Sequence, residues 1–353
     1  MNTIKVAING FGRIGRAFLK IAWERPEIEI VAINDLGSIE SLAYLLRHDT
    51  VYRNWNRKVE VHGTSTDPSN PDSAEHYLVI DGKKVRFVSE KNSTKLPWKE
   101  LGVDVVVEST GLFTAFDKAK FHLDQGAKKV VISAPAKGSD GSVQGETILL
   151  GVNEDKFGTC DITSNASCTT NAASPLIAIL HEALGIEKAI LNTVHGYTAS
   201  QALVDGPSKK DLREGRAAAQ NIVPSSTGAA IAVTKAFPEL TDKFDGISIR
   251  VPVPAGSIVD ITFISKKNTT AQEVNAILKK AAQDPKWSKI FAITEEPLVS
   301  SDILGESHAS IADLEMTRVV DGNLVKVMGW YDNEMGYTYT LVDHVIKTGK
   351  TIN

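Results

Sequence analysis

Cysteine is scarce in this chain, which contains two in 353 residues. Cys160 and Cys168 stand eight positions apart, so they form neither a disulfide framework nor the Cys-x-x-Cys spacing of a metal site. This scarcity excludes a disulfide-stapled secreted scaffold, and we expect no metal site. Cys160 is therefore expected to be a plain thiol in a reducing compartment.

A strong net charge and long apolar runs are also absent. The formal net charge is −4, which gives no general attraction to nucleic acid or to an anionic membrane surface. No stretch approaches 18 uninterrupted apolar residues, so we expect no membrane-spanning helix. The chain begins with an apolar strand rather than a charged leader and a signal core. These absences predict a cytoplasmic protein with no nucleic-acid or membrane partner.

The order of predicted elements indicates two kinds of domain. A chain of 353 residues is long for one ordinary domain, and two are expected. The first half alternates apolar strands with helices, including one predicted over Phe116 to Gln125, which is typical of a doubly wound α/β sheet. The second half brings strands such as 316–320 and 324–328 around a tight turn. We therefore predict a Rossmann domain followed by an α+β domain with a mostly antiparallel sheet.

A glycine fingerprint follows the first predicted strand. Gly10-x-Gly12-x-x-Gly15 comes between an apolar strand and a helical pattern, and the next apolar strand ends at Asp35. Glycines permit a tight turn and close approach to a pyrophosphate, while the carboxylate can accept hydrogen bonds from both ribose hydroxyls. A carboxylate repels a 2′-phosphate, and no arginine follows Asp35 closely. The pattern predicts an NAD site rather than an NADP site.

The second cysteine stands in an unusually polar segment. Ser164 to Asn171 contains Cys168 and, apart from Ala166, no aliphatic residue, and an apolar helix follows from Ala172 to Leu184. This position predicts a thiol at a helix N-terminus, where the helix dipole lowers the thiol pKa. The alternative is a small buried residue. The polar surroundings favour a covalent nucleophile.

His195 stands where the next apolar strand ends, beside a glycine. A lone histidine is more often structural than catalytic. This one follows the cysteine helix directly, and a thiol nucleophile needs a neighbour that takes its proton. His195 is therefore the expected base.

Three polar segments further along are suited to anions. They are Thr198, the segment Ser225 to Gly228 before a helix, and Arg250 at a strand end. Each by itself could be a cap or a surface charge. Together they predict places for two phosphates near a thiol and an imidazole. The basic run 209–213 is interpreted as a solvated face.

Several motifs together carry a resemblance to a known family. The chain resembles the phosphorylating, NAD-dependent glyceraldehyde-3-phosphate dehydrogenases along nearly its whole length. The matching segments are residues 8–16, 108–111, 164–171, 205–208, 224–230, 250–252 and 330–334. The resemblance implies an NAD-binding domain over 1–166, completed by a C-terminal helix over 334–353, and a catalytic domain over 167–333. It also implies a homotetramer.

The resemblance further implies a role for individual residues. Cys168 would be the nucleophile and His195 the base, with glyceraldehyde 3-phosphate and inorganic phosphate as reactants. The residues implied to bind the two phosphates are Ser167, Thr169, Thr198, Thr227, Gly228 and Arg250. The residues implied to bind NAD are Gly10, Gly12, Arg13, Ile14, Gly15, Asp35, Lys91, Ser133 and Asn333.

Two alternatives remain open beside this reading. One is the related erythrose-4-phosphate dehydrogenase, and the other is a non-catalytic binding protein built on the same scaffold. The chain also departs from the family pattern, most visibly in an unusual segment over 51–75, which includes an expected exposed loop over 63–75. Glycine at 196, after the expected base, is a second departure.

Overall fold

The computed structural model describes residues 3–63, 75–136, 138, 140–208 and 211–352. Most of the expected loop over 63–75, and Lys209 and Lys210 of the basic run, lie outside these residues. The chain divides into two units. The first comprises residues 1–148, 155–166 and 341–353, and the second comprises 149–154 and 167–340. Within the described residues, no helix has the length and apolar character needed to cross a membrane.

The first unit is built on a nine-stranded sheet. The eleven strands of this unit in chain order are β1 (Ile4–Asn9), β2 (Ile28–Asn34), β3 (His48–Asp49), β4 (Arg53–Asn54), β5 (Val59–His62), β6 (His76–Ile80), β7 (Lys83–Val88), β8 (Val105–Glu108), β9 (Lys129–Ile132), β10 (Gly145–Thr147) and β11 (Ile162–Ser164) among the described residues. The strands β3 and β4 form a separate pair, and the other nine form the sheet. Its helices are α1 (Arg13–Ala22), α2 (Ile39–Arg47), α3 (Phe116–Ala119) and α4 (Phe121–Asp124).

The order of these strands creates a ligand-binding edge. The sheet runs β10-β11-β9-β8-β1-β2-β7-β6-β5, and β1 pairs in parallel with both β2 and β8. The chain therefore reverses its winding at β1, and a crevice opens at the carboxyl ends of the strands beside it. The strands β1 and β8 are almost entirely buried because both faces of a parallel sheet are covered.

The prediction of one continuous helix in the first unit is wrong. The sequence predicts a single helix over Phe116 to Gln125, whereas the structure contains the two short helices α3 and α4. The chain tightens between them, because the backbone N–H of Lys120 donates to the carbonyl of Asp117, three residues earlier. Gly126 then ends the segment with φ +100°.

The second unit is built on a seven-stranded sheet with helices. Its elements are α5 (Cys168–Leu184), β12 (Ile186–Gly196), β13 (Val223–Ser226), α6 (Ala229–Thr234), β14 (Phe244–Val251), β15 (Ser257–Ser265), α7 (Ala271–Ala282), β16 (Phe291–Thr294), β17 (Ser310–Val320) and β18 (Leu324–Tyr331). The strand order is β13-β14-β12-β15-β18-β17-β16, and four of its six pairings are antiparallel. The predicted fold class is confirmed for both units.

A final helix, α8 (Met335–Gly349), ends the chain. Its residues from Leu341 onward belong to the first unit. There Gly349 lies so close to β1 that a Cβ atom would come within 2.5 Å of the Ile4 side chain. The last turn of α8 therefore packs tightly against the first strand of the Rossmann sheet.

Candidate active site

Cys168 is the first residue of α5, as the sequence predicts. Ser167 caps this helix, because its Oγ accepts a hydrogen bond from the backbone N–H of Thr170 at 3.1 Å. The thiol is half-buried. Burial raises the pKa of the Cys168 thiol, while the positive charge of Arg250 opposes that rise. The expectation of a lowered thiol pKa is therefore wrong for this state, because desolvation outweighs the helix N-terminus.

His195 lies at the end of β12 with its Nε2 atom 3.4 Å from the Sγ atom of Cys168. The side chain is 3% exposed. Burial, together with the nearby Arg250 guanidinium, lowers the pKa of His195 to about 3. The imidazole is thus neutral at physiological pH, which is the form that can accept a proton.

Arg250 reaches His195 because of the sheet register. The strands β12 and β14 are parallel, and His195 is the direct register partner of Arg250. The Nη1 atom of Arg250 lies 2.5 Å from His195 Nδ1. Its Nε atom is buried and has no hydrogen-bond partner among the described residues. A half-buried guanidinium with a buried, unused Nε donor is a suitable anion site.

Tyr331 is a neighbour of the site that the sequence reading missed. Its hydroxyl, at the end of β18, shares hydrogen bonds with Thr169 at 2.9 Å and Thr193 at 2.7 Å. Its ring stands edge-on to the imidazole of His195, with centroids 5.9 Å apart. Burial raises the pKa of Tyr331, so the phenol stays neutral. The residue lies in the family-matching segment 330–334, but an aromatic residue at the end of a buried strand looks like ordinary core, so the sequence did not single it out.

The other predicted anion-binding residues lie in their own loops. Thr198 shares a hydrogen bond with the Ser200 hydroxyl at 3.1 Å, and the Thr227 hydroxyl accepts from the N–H of Ala229 at 3.2 Å. Gly228 is the N-cap of α6, and a Cβ atom there would meet nothing within 4 Å. Hydrogen-bond contacts thus join Cys168 to His195 and His195 to Arg250, while the hydrogen bonds given above for Thr198 and Thr227 stay within their own segments.

Close packing explains why a glycine stands at position 196 in this chain. A Cβ atom at this position would lie 3.0 Å from the carbonyl oxygen of Val253 and 3.3 Å from the Cα of Ala255. Any side chain here must displace that neighbouring loop by a few tenths of an ångström. The glycine therefore lets the segment after Arg250 approach the end of β12.

The glycine fingerprint of the first unit forms the tight turn that the sequence predicts. Gly10 has φ +94°, and a Cβ atom there would lie 2.6 Å from the backbone nitrogen of Thr110. Gly15 allows the same close approach, because its Cβ would lie 2.2 Å from the Gly10 carbonyl oxygen. Gly12 is exposed at the N-cap of α1 with open space around it. The turn therefore brings an exposed glycine to the N-terminus of a helix.

A cavity of about 480 Å³ lies beside this turn, lined in part by Gly10, Gly12, Asp35 and Lys91. Asp35 accepts hydrogen bonds from the backbone N–H of Phe11 at 2.6 Å and of Gly37 at 2.8 Å, one on each oxygen. Each carboxylate oxygen can accept a further bond, as two ribose hydroxyls require. The crevice and the donor set therefore fit a dinucleotide.

The remaining residues predicted to bind the cofactor lie on helix α1, after strand β9 and in the second unit. Arg13 and Ile14 begin α1, and Arg13 forms an ion pair with Asp49 at 3.2 Å. Ser133 follows β9, where its backbone N–H donates to the carbonyl of Glu108. Asn333 belongs to the second unit, and its Oδ1 accepts from the N–H of Gly256 and the hydroxyl of Ser257, both at 3.0 Å.

Comparison with known proteins identifies similar chains. Residues 4–116 match the family model for the NAD binding domain of glyceraldehyde 3-phosphate dehydrogenase, and residues 167–333 match its C-terminal domain. A glyceraldehyde-3-phosphate dehydrogenase of Streptomyces coelicolor is 46% identical over 353 residues, covering 99% of this chain and 100% of that protein. Another, from Geobacillus stearothermophilus, is 46% identical over 342 residues, covering 96% of each. A third, from Borreliella burgdorferi, is 46% identical over 347 residues, covering 96% of this chain.

Proposed function

This chain belongs to the glyceraldehyde-3-phosphate dehydrogenase family, whose members are NAD-dependent dehydrogenases, and we propose that Cys168, His195 and Arg250 carry its chemistry. The reaction is the oxidation of glyceraldehyde 3-phosphate with inorganic phosphate to 1,3-bisphosphoglycerate. The observation that supports these roles most directly is the 3.4 Å approach of Cys168 Sγ to His195 Nε2.

The cysteine forms and breaks the covalent bond to substrate. His195 Nε2 takes the proton of the Cys168 thiol, the thiolate sulfur adds to the aldehyde carbon, and the carbonyl oxygen takes that proton to give a thiohemiacetal. His195 Nε2 then accepts the hydroxyl proton as the carbon is oxidised to a thioester. Bound NAD supplies the acceptor for the carbon-bound hydrogen and its two electrons. An oxygen of inorganic phosphate finally attacks the thioester carbon and expels the Cys168 thiolate.

The substrate's own phosphate and the attacking phosphate need separate anchors. We assign Arg250 and Thr198 to the substrate's phosphate, supported by the buried, unpartnered Nε of the guanidinium. The residues assigned to the attacking phosphate are Ser167, Thr169, Thr227 and Gly228. Hydroxyl groups and backbone N–H groups at two helix N-termini are the donors on which that second assignment rests.

The cofactor residues follow from the crevice of the first unit. Gly10, Gly12 and Gly15 form the pyrophosphate turn, and Asp35 accepts from the ribose hydroxyls. The Asp35 carboxylate would repel a 2′-phosphate, which favours NAD over NADP. The residues assigned to the remaining contacts are Arg13, Ile14, Lys91, Ser133 and Asn333.

The larger organisation is part of the same proposal. We assign residues 1–166 with 334–353 to the NAD-binding domain and 167–333 to the catalytic domain. The assembly is a homotetramer in the cytoplasm. Equilibrium sedimentation of the full chain measures the assembly, and a monomer at micromolar concentration would contradict it.

A steady-state assay tests the reaction against the alternatives. We expect glyceraldehyde 3-phosphate to be oxidised with a higher kcat/KM than erythrose 4-phosphate, and NADH formation to require inorganic phosphate. A preference for erythrose 4-phosphate would favour the related enzyme. Absence of turnover with either aldehyde, in a chain that still binds NAD, would favour a binding protein. The names of the similar proteins do not favour either alternative.

A further inference from the structure

Glu108, the last residue of β8, is surrounded by hydrogen-bond donors and is 2% exposed. Its Oε2 atom accepts from the side-chain amide of Asn9 at 2.6 Å and from Nε2 of His122 at 2.9 Å. The ring proton of His122 is on Nε2 because the indole N–H of Trp98 donates to Nδ1 at 2.9 Å. Oε1 accepts from the backbone N–H of Thr110 at 2.9 Å and from its hydroxyl at 2.5 Å. An ionised carboxylate satisfies all four donors, because both of its oxygens accept.

Asn9 and Asn34, which we call the amide bridge, extend this arrangement across the sheet. Because Asn9 turns Nδ2 to Glu108, it presents Oδ1 to Asn34, whose Nδ2 donates to it at 2.8 Å. Asn34 also donates to the carbonyl of Glu90 at 3.1 Å and accepts from the Glu90 N–H at 2.9 Å. Glu90 follows β7, which lies beside β2 in the sheet. The carboxylate therefore fixes the direction of every hydrogen bond as far as the Glu90 backbone.

Both ends of this network line the cavity beside the glycine turn. Thr110 and Leu112 line it, and the Thr110 hydroxyl accepts from the N–H of Leu112 at 3.1 Å. Glu90 and Lys91 line it as well. Within the described part of the chain, neither Glu108 nor His122 lines the cavity. Glu108 therefore acts on the cavity through the segments 110–112 and 90–91.

We propose that Glu108 is a positioning residue for NAD. Its carboxylate holds the segment 110–112 directly and the segment 90–91 through the amide bridge, in the conformation that the bound cofactor requires. A preformed crevice binds its ligand more tightly, because less of the chain has to be ordered on binding. This inference rests on the proposed function, which assigns the cavity and Lys91 to NAD.

Glu108→Gln tests the role of the carboxylate, because it keeps the shape and replaces one acceptor oxygen by an NH₂ donor. Turned toward Asn9 and His122, the new NH₂ would meet two donors. Turned toward Thr110, it meets one backbone N–H and a hydroxyl that can rotate to accept, so we expect this orientation. Calorimetry should show the Kd for NAD raised about tenfold or more, since a donor in the cavity lining is left opposed. Hydrogen exchange of 110–112 in the absence of NAD should be faster.

The kinetic signature distinguishes a positioning role from a structural one. In Glu108→Gln the KM for NAD should rise, while kcat at saturating NAD and the KM for the aldehyde should stay within about twofold. A loss of stability alone would lower the amount of active protein, and thus kcat, without changing the Kd. Glu29→Gln, an exposed position on β2, is the matched control and should change none of these quantities. An unchanged Kd or unchanged exchange in folded Glu108→Gln would overturn the proposal.

Asn34→Asp tests the amide bridge and needs no change at position 108. The new carboxylate cannot donate to Asn9 or to the Glu90 carbonyl, so the Kd for NAD should rise and exchange of 90–91 should be faster. An unchanged Kd in this folded variant would show that the bridge does not hold the cavity.

The combined variant supplies a rescue that a purely structural role does not predict. The Asn9 amide can then reverse, with Nδ2 donating to the new carboxylate at position 34 and Oδ1 accepting from the new amide at position 108. The amide oxygen at 108 now accepts from Thr110, and the opposed N–H is moved to His122, away from the cavity lining. The rise in Kd should be smaller than the product of the two single effects by about threefold or more. Multiplicative effects would overturn the coupling through Asn9.

These tests separate the inference from the proposed function. Hydrogen exchange of the NAD-free chain needs neither cofactor nor turnover. A chain that binds no NAD would defeat the proposed cofactor site, whatever the exchange rates show. An active dehydrogenase whose Kd for NAD is the same in both single variants would defeat the inference alone.

Discussion

His122 in the first unit and His195 in the second are both buried histidines, and their hydrogen bonds differ in kind. The Nε1–H of Trp98 donates to His122 Nδ1 at 2.9 Å, so the ring proton is on Nε2, which donates to Glu108 at 2.9 Å. His195 instead has an acceptor and a donor competing for Nδ1. A histidine with complementary partners is locked in one tautomer, whereas the partners of His195 do not fix which ring nitrogen carries the proton.

The locked histidine belongs to a buried polar network. Glu108 Oε2 also accepts from the side-chain amide of Asn9 at 2.6 Å, and Oε1 accepts from the N–H of Thr110 at 2.9 Å. Asn34 extends the network by donating to the Asn9 side chain at 2.8 Å. These residues stand at the carboxyl ends of β1, β2 and β8, where we propose that the dinucleotide binds. The network therefore ties the ends of these three strands together.

The strongest test of the contrast removes the partner of His195. Cys168→Ser should lower dehydrogenase kcat by more than about a thousandfold, because a neutral hydroxyl is a far weaker nucleophile than a thiolate. Equilibrium NAD binding by calorimetry should stay unchanged. Iodoacetate should label Cys168, and the buried Cys160 serves as the internal control. Labelling of Cys160 with loss of activity would contradict the assignment of the nucleophile.

Matched variants of the two histidines sharpen the comparison itself. His195→Asn should lower kcat by roughly 10²–10⁴-fold, the contribution of a positioned general base. His122→Asn should instead lower the free energy of unfolding by about 1–3 kcal/mol for each buried group left unpaired, here on Trp98 and Glu108. Steady-state kinetics and urea unfolding of both variants measure the two effects. Equal losses of kcat in the two folded variants would abolish the distinction.

Arg250 lies beside His195, and the effect of removing its charge should depend on which aldehyde is the substrate. Arg250→Ala should remove a contact worth roughly 1.5–3 kcal/mol, about one to two decades in kcat/KM for glyceraldehyde 3-phosphate. Unphosphorylated glyceraldehyde, assayed at saturating inorganic phosphate, should lose much less. If the variant slows both aldehydes equally, the substrate's phosphate must have another anchor.

The smallest expected effect is on stability as a function of pH. The pKa of His195 is about 3 when folded and near 6.5 when unfolded, so between those values the unfolded chain binds more protons. Stability is therefore present above pH 6.5 and is lost as pH falls toward 3, by up to about 1.4 kcal/mol per pH unit. His195→Asn should flatten this dependence, measured by urea unfolding in phosphate-free buffer at pH 7.5 and 5.5. Unchanged dependence in the variant would show that His195 does not remain neutral in the folded chain.

The sequence was informative where chemistry depends on neighbours along the chain. The glycine turn at 10–15, the strand end at Asp35 and the helix N-terminus at Cys168 were all predicted, because each is a local pattern of φ preference or element order. The pKa of Cys168 was predicted in the wrong direction, because burial is a property of the whole packing. The split between α3 and α4 escaped prediction as well, since both segments have a helical composition.

By itself, the sequence determined the class of fold, the cofactor crevice and the identities of the thiol and the imidazole. Only the tertiary structure decided what surrounds them. Arg250 meets His195, 55 residues earlier in the chain, because β12 and β14 are parallel and in register. Tyr331 reaches Thr169 across 162 residues through the order of strands in the same sheet. Register and strand order depend on the collective packing of the whole sheet, so no local pattern specifies which distant side chains will share a proton.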